Sequence, residues 1–390
     1  MKKRKVWAEA AGAAAVCLTL SLATGATAAT VNVINADGPG EGFNDPTPVA
    51  PVGGNTGTTL GEQRFIAFEY AAKLWAARIG SNVTIEISAT FDPLTCGQNG
   101  AVLGQAGPTT FLRDFSGAPR SATWYPILLA NILGGKDFDP GRSDITAQFN
   151  SEIDSGCFSK VFYYGLDGNQ GNGIDFVTVL MHELGHGLGF LTGVNPETGQ
   201  KFSGFDDAFM LFLEDHSTGK TFPNMTDPER AAAAIDGGQT WSDLHWIGPN
   251  GVAAGSGLSA GVGAGGHLEM YAPDPVEQGS SLSHYAKTLS PNELMEPQFT
   301  TPLHTPERTL AVLADVGYPS ILPCGDATGD GSIKATDALA ALRASVGGAE
   351  CLETVCDATG DGRVVATDAL VILKRAVGQL STIECGLRTS

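Results

Sequence analysis

Cationic side chains are scarce in this 390-residue chain: 23 Lys and Arg stand against 42 Asp and Glu, for a net charge of −19. A polyanion finds little to hold on such a surface, so nucleic acid is excluded as a partner. Long apolar runs are missing after the N-terminus, which leaves no later stretch able to span a bilayer. Cysteine is sparse as well. Of seven, Cys17 falls in the N-terminal leader, and an even number remains: Cys96, Cys157, Cys324, Cys351, Cys356 and Cys385. An even set suits an oxidising compartment.

What is present reads as a globular chain, with 42% hydrophobic and 17% charged residues. Its length accommodates one large domain and a small one. Fifty-one glycines predict long loops. The first residues carry Lys2, Lys3, Arg4 and Lys5, then a run of small and apolar residues over 10–23, then Ala26-Thr27-Ala28. That is a secretory leader over residues 1–28, and it predicts a secreted protein. Its apolar run is too short for a membrane anchor and is preceded by Glu9.

The most informative stretch is 176–190, FVTVLMHELGHGLGF. Val177, Leu180, Met181, Leu184 and Leu188 recur with the period of a helix that buries one face. His182 and His186 lie one turn apart on one side of it, where two imidazoles can bind one metal ion. Glu183 is placed to take a proton from a water that such a metal activates. Gly185, Gly187 and Gly189 each cost about 1 kcal/mol relative to Ala inside a helix. They predict close approach at this site, and Gly189 a helix-ending turn.

HELGHGLGF resembles the metzincin signature His-Glu-x-x-His-x-x-Gly-x-x-His, except that Thr192 stands where the third histidine is expected. Downstream, SLSHYAKTLSPNELMEP resembles the segment by which leishmanolysin-like metzincins supply that histidine after a long insertion. Tyr285 stands where that branch commonly has Trp. The resemblance covers roughly residues 182–297. It implies zinc held by His182, His186 and His284, Glu183 as general base, and Met295 in the turn beneath the metal. His267 and His245 compete for the third position, as do the carboxylates Asp206, Asp207 and Glu293. Tyr285 is a candidate for stabilising an oxyanion.

Elsewhere, the pattern predicts strands at 31–34, 83–91, 145–149 and 161–164, and helices at 60–79, 127–133 and 309–316. An edge strand beside the zinc helix would hold an extended substrate, but no stretch marks itself as that edge. The insertion, 187–283, should contain helices at 205–214 and near 228–235. Its Gly/Ala/Ser-rich run, 251–266, is either a lid or a plain surface loop. Cys96 and Cys157 are expected to pair, with a latency cap on zinc as a competing role for Cys96.

The tail is duplicated: CGDATGDGSIKATDALAALRASVG is followed by CDATGDGRVVATDALVILKRAVG. Each copy resembles half an EF-hand, with oxygen ligands at loop places 1, 3, 5, 7 and 12 and glycine at 6. The first loop offers Asp326, Thr328, Asp330, the Ser332 backbone and Asp337 to calcium. The second offers Asp357, Thr359, Asp361, the Arg363 backbone and Asp368. Two such units resemble a type I dockerin, although threonine at place 3 departs from the usual Asn or Asp. Ala335-Thr336 and Ala366-Thr367 fall where dockerins bind cohesin, and one disulfide per repeat is expected, Cys324–Cys351 and Cys356–Cys385.

The expected fold is therefore α+β: a metzincin-like peptidase domain over 29–319, then a small all-α dockerin-like domain over 320–390. The expected function is a secreted zinc endopeptidase with calcium in its tail, acting on protein or peptide, with a cohesin-like or surface partner. The alternative is a non-catalytic exported metal-binding module docked through the same tail.

Overall fold

Alternating burial builds the first sheet. In the computed structural model, which describes residues 28–380 except 238–240, 350 and 362, together with Ile383 and Cys385, four strands assemble. They are β1 (Val31–Asn35), β2 (Ile85–Asp92), β3 (Gly104–Pro108) and β4 (Ile145–Asn150), in the order β1-β2-β4-β3. The first three in that order run parallel, and β3 runs antiparallel to β4 at the end of the row. Ile85, Ile87, Ala89 and Phe91 of β2 point inward, and so do Ile145, Ala147 and Phe149 of β4. The proposed leader lies almost wholly outside the described residues.

Helices close this layer. α1 (Leu60–Ala76) starts at a capping box in which Thr59 and Glu62 satisfy each other's backbone N–H. A short α2 (Ile127–Gly134) ends on Gly135 at φ 65°. α3 (Phe176–Leu188) is capped by Asp175, which accepts from Thr178 N at 2.7 Å, and ends on Gly189 at φ 114°. The Trp75 indole of α1 donates to Met181 O of α3 at 3.0 Å. Phe149 and Phe176 meet edge to face at 5.2 Å and Phe68 and Phe149 at 5.6 Å, locking helices to sheet.

The insertion differs from expectation in one element. Residues 205–214 form no α-helix; they pass through a bridge at Asp206–Asp207 and a single 3-10 turn, Met210–Phe212, into β5 (Leu213–Asp215). The buried Asp207 carboxylate is the reason: it accepts from Met210 N, Thr192 Oγ1 and Gly193 N, and so nails the segment to the chain after α3. β5 joins β6 (Lys220–Thr221), β7 (Leu244–Trp246) and β8 (Leu268–Glu269) in a sheet ordered β6-β5-β7-β8. The helix near 228 is α4 (Asp227–Ala233). The glycine-rich run is no free lid. It opens with α5 (Pro249–Ala254), and then Ser259 N, Glu269 N and Ser290 N make backbone bonds that tie it down. The strand expected at 161–164 shrinks to Phe162–Tyr163.

α6 (Glu307–Val316) ends the large domain, and Ile79 bridges Ile321 at the junction. In the tail, α7 (Ala335–Ser345) and α8 (Ala366–Ala376) pack around Ala338, Ala341 and Ile372. Cys96 pairs with Cys157 as expected, which removes the latency role for Cys96. The tail pairs are Cys324–Cys385 and Cys351–Cys356, not one per repeat. The two repeats fold against one shared core, which brings the first and last tail cysteines together. Among the described residues no helix is long and apolar enough to cross a membrane.

Candidate metal centre

α3 presents His182 and His186 on one side because four residues make just over a turn. The third imidazole, His284, arrives from the far end of the insertion. Its segment continues the second sheet: Met270 N donates to Leu244 O, and Tyr271 N donates to His284 O. The three Nε2 atoms then face one another, His182 to His284 at 3.1 Å, His186 to His284 at 3.1 Å and His182 to His186 at 3.2 Å. A tetrahedral zinc with Zn–N bonds of about 2.05 Å sets its nitrogens about 3.3 Å apart.

The other ring nitrogen of each histidine is tied to a backbone carbonyl. His182 Nδ1 lies 2.7 Å from Leu294 O, His186 Nδ1 2.8 Å from Phe190 O, and His284 Nδ1 2.8 Å from Ser280 O. A carbonyl only accepts, so each Nδ1 carries the proton and each Nε2 presents a lone pair to the common centre. Burial pushes all three rings below the ordinary histidine range, His186 to about 3, and so favours the neutral form that ligates. Three mutually facing lone pairs repel unless a cation lies between them. The residues present therefore fit a metal.

Glu183 follows the first imidazole and is 9% exposed. Burial pushes its carboxyl up to about 8, against a hydrogen bond from the Ala106 backbone that lowers it. Ala106 belongs to β3, the end strand, so that strand runs past the carboxylate. Gly104 is needed there: a Cβ on it would stand 3.1 Å from Glu183 Cγ and 2.8 Å from the Phe149 ring. β3 was not legible, since its sequence, GQAGP, has neither apolar alternation nor branched residues.

Met295 is fully buried against α3, its Sδ 2.6 Å from where a Cβ on Gly185 would stand. Met295 O accepts from Tyr285 N, which binds this turn to the His284 segment. Other candidates lie elsewhere. Tyr285 is fully buried beneath Phe190, so it faces no cleft and cannot serve an oxyanion. Asp206 pairs with Lys201, and Glu293 with Arg308. His245 and His267 meet His216 instead.

In the tail loops, Asp326, Asp337, Asp357 and Asp368 are all at most 3% exposed. Asp326 accepts from Asp330 N and Gly331 N, and Asp337 from Thr328 N, Thr328 Oγ1 and Lys334 N. Asp357 and Asp368 repeat this around Gly360, Asp361, Thr359 and Val365. The outer Asp330 and Asp361 cap Ser332 N and Arg363 N. Buried carboxylates at corresponding places in two loops suit a hard cation.

Compared with known proteins, the chain matches no family model, no curated protein and no solved structure.

Proposed function

We propose that this chain is a secreted zinc endopeptidase with a metzincin-like fold of the leishmanolysin type, carrying a dockerin-like calcium-binding tail. One observation carries the reading: three Nε2 lone pairs converge within 3.2 Å beside a buried glutamate. His182, His186 and His284 would hold zinc and leave a fourth position open. Zinc so held supplies a Lewis acid that lowers the pKa of water toward about 7 and polarises a peptide carbonyl.

The chain's own residues do the rest. Glu183 takes the proton from the attacking water and delivers it to the leaving amine. β3 ends its sheet, so its outer edge can pair with an extended peptide laid alongside α3. Met295 packs under the turn of α3 that bears the ligands and holds their spacing.

The tail supports docking. Leu339, Leu342 and Val346 of the first repeat and Leu370, Leu373 and Val377 of the second are exposed at corresponding places. A duplicated apolar face of this kind fits a protein partner of cohesin type.

The test is Glu183→Gln in the full chain. Zinc content should stay at the wild-type level while casein hydrolysis falls by about 100- to 10,000-fold. Unchanged turnover sinks the general-base assignment. Wild-type protein that keeps zinc yet cleaves no peptide would instead favour the docked, non-catalytic module.

A further inference from the structure

Six of the seven histidines fall into two triads, and the proposed peptidase uses only one. The second comprises His216, His245 and His267, with one ring nitrogen of each lying within 4.8 Å of the others. All three come from the insertion sheet. His216 follows β5, His245 is the centre of β7, and His267 precedes β8. In the sheet register Glu214 stands opposite His245, which puts both on one face. Glu214 Oε1 lies 3.6 Å from His216 Nδ1 and 3.6 Å from His267 Nδ1.

We propose that His216, His245, His267 and Glu214 form a second, structural zinc site. The deciding feature is an unused donor. His245 is 3% exposed and its Nε2 is engaged 3.0 Å from Ser242 O, so Nδ1 carries the lone pair. That Nδ1 is buried and meets no hydrogen-bond partner, and neither does the buried Nδ1 of His267. Native interiors rarely leave such atoms unmatched, and a cation satisfies both at once. The chain also makes room for this ring: a Cβ on Gly263 would stand 2.2 Å from His245 Cε1.

Three imidazoles and a carboxylate make a closed four-ligand set, as structural zinc uses, whereas the triad on α3 leaves a position open. Closure requires donors that lie within 4.8 Å of one another to settle at about 3.3 Å. The backbones of His216 and His267 are held by bonds to Asp243 and Gly263, so closure falls to rotation of the two side chains. The bound ion would cross-link β5, β7 and the start of β8. That sheet runs on to the segment bearing His284.

The test counts zinc in the full chain, reloaded with zinc under excess calcium and dialysed. Wild type should retain about two equivalents, and the double variant His216→Gln, His267→Gln about one. Independently, His182→Ala with His186→Ala should also retain about one. Circular dichroism checks folding. An unchanged count in the first variant, or none in the second, overturns the proposal. Loss in the first variant with no loss in the second upholds it while removing the peptidase reading.

Discussion

A buried carboxylate two residues past the proposed metal ligands' Leu294 contact shows what burial does to one side chain. Glu296 is 6% exposed, and burial pushes its carboxyl from an ordinary 4.5 to about 7; the Glu293 backbone N–H bonded to it at 2.8 Å works the other way. The folded state therefore holds this proton more tightly than the unfolded chain. Its contribution to stability is fully present below about pH 4.5 and is lost as pH rises through about 7. Glu296→Gln keeps an acceptor for the Glu293 N–H and removes the charge. It should stabilise the protein by about 3 kcal/mol at pH 8 and by well under 1 kcal/mol at pH 4.5, read from thermal melts at both values. A gain of equal size at both pH values would contradict the assignment.

Among elements, α3 explains its own glycines. Their spacing suggested close approach around a metal, but the close approach is to packing partners. A Cβ on Gly187 would lie 2.5 Å from Ile145 Cγ2 and 2.9 Å from Ile145 Cδ1, on a strand buried in the core. Gly187→Ala gains about 1 kcal/mol of helix propensity. It should nonetheless destabilise the chain by about 1–2 kcal/mol, because Ile145 has nowhere to retreat. The midpoint of urea unfolding checks this; a midpoint at or above wild type refutes it. α1 and α3, which carry side-chain caps, and α6, which has only its apolar period, were legible in the sequence within a few residues. β3 was not, because a strand of glycine, alanine and proline is held by its neighbour β4 and by α3 rather than by its own preferences. Residues 205–214 misled for the opposite reason: apolar side chains at helical spacing were overruled by one buried carboxylate, Asp207.

For the whole molecule, the tail disulfides decide how its two repeats act together. Cys324–Cys385 encloses 61 positions and Cys351–Cys356 only 5. Chain entropy alone assigns about 4 kcal/mol to the first and about 2 kcal/mol to the second. Replacing Cys324 and Cys385 by serine should therefore lower the melting temperature of the tail transition in calcium more than replacing Cys351 and Cys356. Calorimetry separates the two; the reverse order would mean that the long bridge does not restrain the unfolded tail.

The period of α3, the duplicated acidic loops and the even cysteine set were determined by sequence alone, since none of them depends on how distant segments pack. The expected Cys96–Cys157 pair is present, although six cysteines leave the pairing open in the sequence. Which distant histidine joins His182 and His186, which cysteines pair in the tail, and that His216 belongs with His245 and His267 were decided only by tertiary structure. Each of these depends on where a sheet carries side chains far apart in sequence, and no local propensity records that.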